Sequence, residues 1–325
     1  MQTTLNLNEL YRPIRGDMEA VRAEISGLWA DAMRLVYGNR APAMPAAGKM
    51  LRPAMCLLSA GAIGAKDTSR FVQLATAMEL LHLAALAHDD VIDAANLRHG
   101  SRSLNALWDN HTAVLGGDYL VARAIDIMGS YGSCLVITNA INSVREMSEG
   151  ELSNFGLGAD HFSQEACISL ARQKTASLFA VTCSTPSCLV DGAPSSELHN
   201  YGLNIGVAFQ LVDDLLDLTR DEEALGKPAF GDLVEGKKTL PILFLRHSLD
   251  AKDCARLDAL AGRPVSELDR AWVMEAIETS GARERTEAIA REYLDDARSA
   301  ISGLAASPYR DSLYGLAEFV LVRGA

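Results

Sequence analysis

Residues 71–93 read FVQLATAMELLHLAALAHDDVID. Up to Ala87 the stretch is an apolar run with helical spacing. Three carboxylates, Asp89, Asp90 and Asp93, then arrive together. In a helix Asp89 and Asp93 stand one turn apart and Asp90 and Asp93 are neighbours at three, so all three converge on one end of one face. Like charges at that spacing repel unless something cationic neutralises them. The pattern recurs once, in LVDDLLD at 211–217, where Asp213, Asp214 and Asp217 again close an apolar helical run.

Magnesium is the natural counter-ion. It is hard and oxygen-seeking, and it is usually shared among one or two carboxylates, water and substrate phosphates. Two such clusters facing each other suit a diphosphate held through several metal ions. A single cluster would read equally well as a solvated helix end; two copies, each after an apolar run, weigh against that. A di-iron bundle would need Glu-x-x-His pairs, which these sites lack. Basic residues supply the other half of a phosphate site: Lys49 and Arg52 in GKMLRP, Arg98 in NLRHG, Lys174 beside Thr175 in RQKTA, and Lys227, Lys237 and Lys238 in GKPAFGDLVEGKKTLP. Each alone reads as surface charge; their value lies in the combination.

The rest of the chain agrees. It is 49% hydrophobic but only 6% aromatic, and its Ala and Leu content favours helix over sheet. Helical periodicity recurs in MEAVRAEISGLWADAMRLV, MLRPAMCLLSAGAIG, TAVLGGDYLVARAIDIM, LVITNAINSVREMSEGELSNF, SQEACISLARQKTASLFAVTC and SELHNYGLNIGVAFQLVDDLLDL. The longest uncharged run, 127–144, is too rich in Ser, Asn and Gly for a membrane span and reads as a core helix. Residues 219–241 read as one long functional loop, and the tail is helical again. The net charge of −12 argues against general nucleic-acid binding. Six scattered cysteines without a CxxC pair argue against zinc and read as reduced, buried side chains. No signal-peptide pattern opens the sequence, so a cytoplasmic protein without stable membrane insertion is expected.

The ordered set GKMLRP, LLHLAALAHDDVIDAANLRHG, LGGDYLVARA, EGEL, KTASLFA, GVAFQLVDDLLD and GKPAFGDLVEGKKTLP resembles the trans-isoprenyl diphosphate synthases, the polyprenyl synthetase family. It covers most of residues 48–245. The resemblance implies an all-α, single-domain isoprenoid-synthase-like helical bundle over 1–325, built around a deep central cavity and usually homodimeric. It implies condensation of an allylic diphosphate with isopentenyl diphosphate. Asp89, Asp90, Asp93, Asp213, Asp214 and Asp217 would hold magnesium, three ions per site with substrate bound. Arg98, Lys174, Lys227 and Lys237 would contact the allylic diphosphate. Lys49, Arg52 and His82 would hold the isopentenyl diphosphate. Thr175 and Gln210 would lie near the developing cation, and Phe209 would shape the pocket.

The chemistry agrees. Breaking a carbon–oxygen bond to diphosphate requires stabilising the leaving charge, and an allylic cation needs a dry site with dipoles but no nucleophile. The departed diphosphate would serve as base, since no dedicated protein base stands out. Where the family usually has a second arginine, this chain has His99, a weaker anion clamp, with Arg102 close by to compensate. Ala84 and Ala85 take places where short-chain members carry bulky aromatics. With Leu81 and Met78 below them, they predict a product longer than geranylgeranyl. The alternatives are a short-chain farnesyl or geranylgeranyl synthase, a terpene cyclase or head-to-head synthase, and a non-catalytic subunit of a heteromeric synthase. The complete aspartate motifs argue against the last, and Lys49, Arg52 and His82 against a cyclase.

Overall fold

A computed structural model describes residues 6–38, 48–93, 97–98, 101–107, 109–156, 162–220 and 229–322. Helices dominate. In chain order they are α1 Leu7–Leu10, α2 Arg15–Tyr37, α3 Leu51–Ala62, α4 Val72–Ile92, α5 Leu104–Leu107, α6 Asn110–Gly129, α7 Cys134–Gly156, α8 Gln164–Ala171, α9 Ser177–Val190, α10 Ser196–Thr219, α11 Gly231–Val234, α12 Leu240–Ser248, α13 Ala251–Asp258, α14 Glu267–Thr279, α15 Ala282–Ala300 and α16 Pro308–Val322. Among the described residues the strands are a two-residue hairpin, β1 Leu97–Arg98 antiparallel to β2 Ser101–Arg102. The all-α expectation holds around it.

Local chemistry sets many helix starts. Side chains of Asp109, Ser163, Ser195, Asp250 and Ser266 accept N–H groups at the heads of α6, α8, α10, α13 and α14, each satisfying a donor the helix cannot. Every residue of α3 is buried, and α9 is buried through Cys188. Helices apolar on all sides belong inside a bundle, and α2, α4, α10 and α16 surround them. One hydrophobic cluster joins residues from Tyr11 to Val320. Thr68–Ile92 is long and apolar enough to cross a membrane, but 67% of its most apolar window is buried here.

Three details differ from the sequence reading. The run 127–144 is not one helix: α6 ends at Gly129, the chain turns with Gly132 at φ 65°, and α7 starts at Cys134. The stretch 163–183 is interrupted by a π-helical turn, Arg172–Ala176, and the helix beyond it runs on through Pro186 to Val190. The expected loop 219–241 contains α11; residues 221–228 lie outside the described part.

Two contacts position the site. α4 and α6 run antiparallel, with His88 against Gly117 and Val114 at one end and Leu74 against Tyr131 at the other. There the Tyr131 hydroxyl accepts from the Leu74 N–H at 3.0 Å and donates to the Arg70 carbonyl at 2.9 Å. This register puts Ala85 level with Leu120, Leu81 with Ala124 and Met78 with Ile127. α10 meets the π turn and α9 through Gly202 and Gly206. A Cβ on Gly206 would lie 2.7 Å from Ala176 Cβ, and one on Gly202 would lie 2.8 Å from Ala180 Cα. Gly206→Ala is therefore expected to cost roughly 1–3 kcal/mol through overpacking. Thermal melts would read this as a lowered Tm, and an unchanged Tm would refute the close approach.

Candidate active site

The first acidic cluster closes α4. Asp90 is 2% exposed, and Asp93 is the C-cap, its N–H bonded to the Asp89 carbonyl at 2.8 Å. Asn105 steadies this end by donating to the Asp90 carbonyl at 2.9 Å. His88 lies 3.5 Å from the Asp118 carboxylate of the GGD stretch, and its ring fills the space a side chain at 117 would take. The second cluster closes α10, with Asp214 and Asp217 buried and Asp213 half-buried.

Two bridges tie the clusters together. The first is the π turn. Such a turn inserts one residue into the helical ladder and is frequent at functional sites. From it Lys174 extends its ammonium to Asp89, at 3.4 Å, and to Glu151 of EGEL, at 2.7 Å. The adjacent Thr175 donates to the Gln210 Oε1 at 2.5 Å, and Gln210 in turn donates to Asp214 Oδ1 at 2.6 Å. One turn of chain thus reaches both aspartate motifs. The second bridge is the segment 229–238. The Phe230 N–H bonds to the Asp217 carbonyl at 2.9 Å, and the Asp232 N–H donates to Asp217 Oδ2 at 3.0 Å. Lys237, five residues on, pairs with Asp93 at 3.0 Å and with Glu235.

The electrostatics are those of crowded acid. Burial, with Asp232, Asp213 and Asp217 nearby, raises the Asp214 pKa well above the usual carboxylate value, and the Gln210 hydrogen bond opposes this only in part. Burial works against the charge on Lys174, but Asp89 and Glu151 more than restore it. Lys237 is likewise held above its ordinary value, as Asp232, Glu235 and Asp93 outweigh its desolvation. This all-oxygen donor set fits a hard divalent cation. Among the described residues no three His, Cys, Asp or Glu side chains are already gathered about one metal position.

Beside the carboxylates lies a cationic corner. The Tyr11 hydroxyl donates to the Lys49 carbonyl at 2.8 Å, and the Lys49 ammonium lies 5.5 Å from the Phe319 ring centre on α16. Arg52, 9% exposed, stacks 4.3 Å from the Phe179 ring centre, and Phe179 meets Phe209 at 5.4 Å. Arg52 also feels the charge of Asp213. Burial lowers its pKa to about 10, against the pull of Glu79 and Asp213. His82 is half-buried two turns before Asp89. Met78, Leu81 and Ala84 are buried, whereas Ala85 is half-buried. His99 and Lys227 lie outside the described residues. Arg98 is described only as backbone, paired with Ser101. Sequence reasoning missed Glu79, Glu151, Asp232 and Glu235. The signal for Glu79 was present, as an acid inside an otherwise apolar helical run.

Comparison with known proteins gives one consistent picture. The family model described as Polyprenyl synthetase matches residues 39–277. The chain is similar to heptaprenyl diphosphate synthase component 2 of Geobacillus stearothermophilus, at 34% identity over 97% of this chain and 98% of that one. It is also similar to octaprenyl diphosphate synthase of Escherichia coli K12, at 33% identity over 98% and 99%. A polyprenyl synthase from Caulobacter crescentus, crystallised with calcium and isoprenyl diphosphate, superposes with a TM-score of 0.89 at 32% identity, each chain covered in full.

Asp214→Asn should stabilise the metal-free protein. An acid whose folded-state pKa is raised contributes stability that is present below its unfolded pKa and lost as pH rises through the folded value. In chelator at pH 8, wild type should therefore melt below Asp214→Asn, and the gap should narrow towards pH 5. Magnesium should raise the Tm of wild type more than that of the variant. Equal melting in chelator at every pH would contradict the crowding described above.

Proposed function

Because the chain belongs to the polyprenyl synthetase family, we propose that it is a trans-polyprenyl diphosphate synthase. It is a prenyltransferase that condenses an allylic diphosphate head-to-tail with isopentenyl diphosphate, making a product longer than C20. The observation that carries this reading is the pair of bridges, which bring two aspartate clusters and two lysines together.

In this reading Asp89, Asp90, Asp93, Asp213, Asp214 and Asp217 hold magnesium, three ions with substrate bound. Bound magnesium supplies Lewis-acid stabilisation of the departing diphosphate. Asp217 is itself oriented by the Asp232 N–H, which donates to its Oδ2. Lys174 and Lys237, now paired with Asp89 and Asp93, turn to the allylic diphosphate as it arrives, joined by Arg98 and Lys227. Lys49, Arg52, His82 and His99 hold the isopentenyl diphosphate. Thr175 and Gln210 present oxygen dipoles to the allylic cation. Asp214 fixes the Gln210 amide so that its Oε1 points away from the carboxylate. Phe179 and Phe209 keep water out. The proton lost from the new chain goes to the released diphosphate.

The chain then grows down between α4 and α6. Helical turns are about 5.4 Å apart, close to one isoprene unit. The levels below Asp89 are Ala85 with Leu120, Leu81 with Ala124, and Met78 with Ile127. One small residue at each of the first two levels, Ala85 and then Ala124, leaves room beyond a short product. The whole chain, 1–325, acts as one catalytic domain, in keeping with its single core. Exposed Val114 and Leu115 on α6, and Leu135, Ile141 and Leu152 on α7, support a homodimer closed over these helices. A cytoplasmic enzyme meeting membrane only through its product fits the burial of Thr68–Ile92.

The deciding experiment is incubation with magnesium, farnesyl diphosphate and radiolabelled isopentenyl diphosphate, followed by chromatography of the dephosphorylated product. Label in alcohols longer than C20 is expected, and its absence would refute the proposal. Ala85→Phe should shorten the product, because it fills the first level at a half-buried position. Unchanged length would move growth to another path.

A further inference from the structure

Glu79 is an anomaly. It lies in the middle of α4, 7% exposed, between Met78 and Leu80, which are buried core residues. Its Oε2 is fully shielded and has no hydrogen-bond partner among the described residues. Burial lifts its pKa to about 7 against the pull of Arg52. A carboxylate in such a place costs several kcal/mol unless a charge partner offsets it. The aspartate clusters do not include it, and it lies almost three turns below Asp89.

Its surroundings identify the partner. Arg52, on α3, is the cation that acts on Glu79, and Glu79 is the first of two acids that sustain the charge on Arg52, Asp213 being the second. The Tyr11 phenol, which holds the Lys49 carbonyl, also feels Glu79. His82 follows one turn later on the same face of α4. Glu79 is therefore set beside Arg52, with Tyr11 close by and His82 one turn on. No hydrogen bond joins Glu79 to Arg52, and the Arg52 Nε is shielded and unpartnered among the described residues. A closed Arg–carboxylate fork would consume the guanidinium donors. An open pair, stacked on Phe179, leaves them for a third, anionic group.

We propose that Glu79 is a positioning residue for isopentenyl diphosphate: its carboxylate braces the Arg52 guanidinium from the core side, so that the remaining N–H donors meet the diphosphate. This rests on the functional reading above, which puts Arg52 at that substrate. The brace acts on one of the two diphosphates and leaves the allylic one, held through the aspartates, Lys174 and Lys237, untouched.

The test is a double-mutant cycle of Glu79→Gln and Arg52→Gln, with the KM for each substrate and kcat measured separately and folding followed by thermal melts. Glu79→Gln should raise the KM for isopentenyl diphosphate about tenfold or more, as loss of one member of a buried charge pair does. The allylic KM should stay within about twofold. In the Arg52→Gln background, Glu79→Gln should add no further rise. An unchanged isopentenyl KM, equal rises for both substrates, or additive effects in the double variant would overturn the proposal. If Glu79→Gln melts too low to assay, Glu79→Asp carries the same test, since it draws the charge one methylene away from Arg52. A smaller rise for isopentenyl diphosphate alone supports the brace, and no rise overturns it. Wild type that fails to incorporate isopentenyl diphosphate would instead refute the functional reading itself.

Discussion

Mutual repulsion among carboxylates is the constraint from which the site follows. Asp90, Asp214 and Asp217 are buried, with Asp232 close enough to raise the Asp214 pKa. Packing alone cannot hold such a group together, because each ionised member disfavours the next. Two lysines offset part of the charge, Lys174 at Asp89 and Lys237 at Asp93. Gln210 takes up one oxygen of Asp214, and the backbone of α11 takes up one of Asp217. What these groups leave unneutralised is an affinity for further positive charge. The crowded acids thus cost the protein stability, a common arrangement where function needs a strained centre.

The scaffold serves that centre by interrupting its helices where chemistry is needed. The π turn at Arg172–Ala176 points neighbouring side chains at different partners, Lys174 at Asp89 and Thr175 at Gln210. Gly206 lets α10 come against that turn, and the contact sets how far Thr175 stands from Gln210. The C-cap at Asp93 ends one helix at the site, and the left-handed Phe230, φ 63°, starts another beside Asp217. Elsewhere the helices of the central bundle run long and are closely buried.

Much of this was legible in the sequence. The two Asp-Asp-x-x-Asp runs, the KT pair and the KKT run announce their chemistry by residue type, because buried acid and clustered base have few other uses. The helices were legible because their faces are apolar at the right spacing. What escaped did so for physical reasons. The π turn has the same composition as the helices flanking it, so periodicity passes over it. The uncharged run 127–144 hides its turn because Gly132 needs only one left-handed residue to reverse the chain. Glu151 and Glu235 read as ordinary surface acids until the fold brings them to Lys174 and Lys237. Glu79 stood out as a charge in an apolar run, but its meaning depends on Arg52, which only the packing of α3 against α4 supplies.

The Tyr131 hydroxyl carries a mechanical consequence. It satisfies an amide at the foot of α4 from just beyond the foot of α6, while His88 keys into Gly117 at the opposite end. Pinned at both extremities, the two rods cannot slide past each other without breaking one fastening. The distance from the acidic end to the base is therefore a gauge of constant length, and on the proposed path of growth polymer size would be set by side-chain bulk along it.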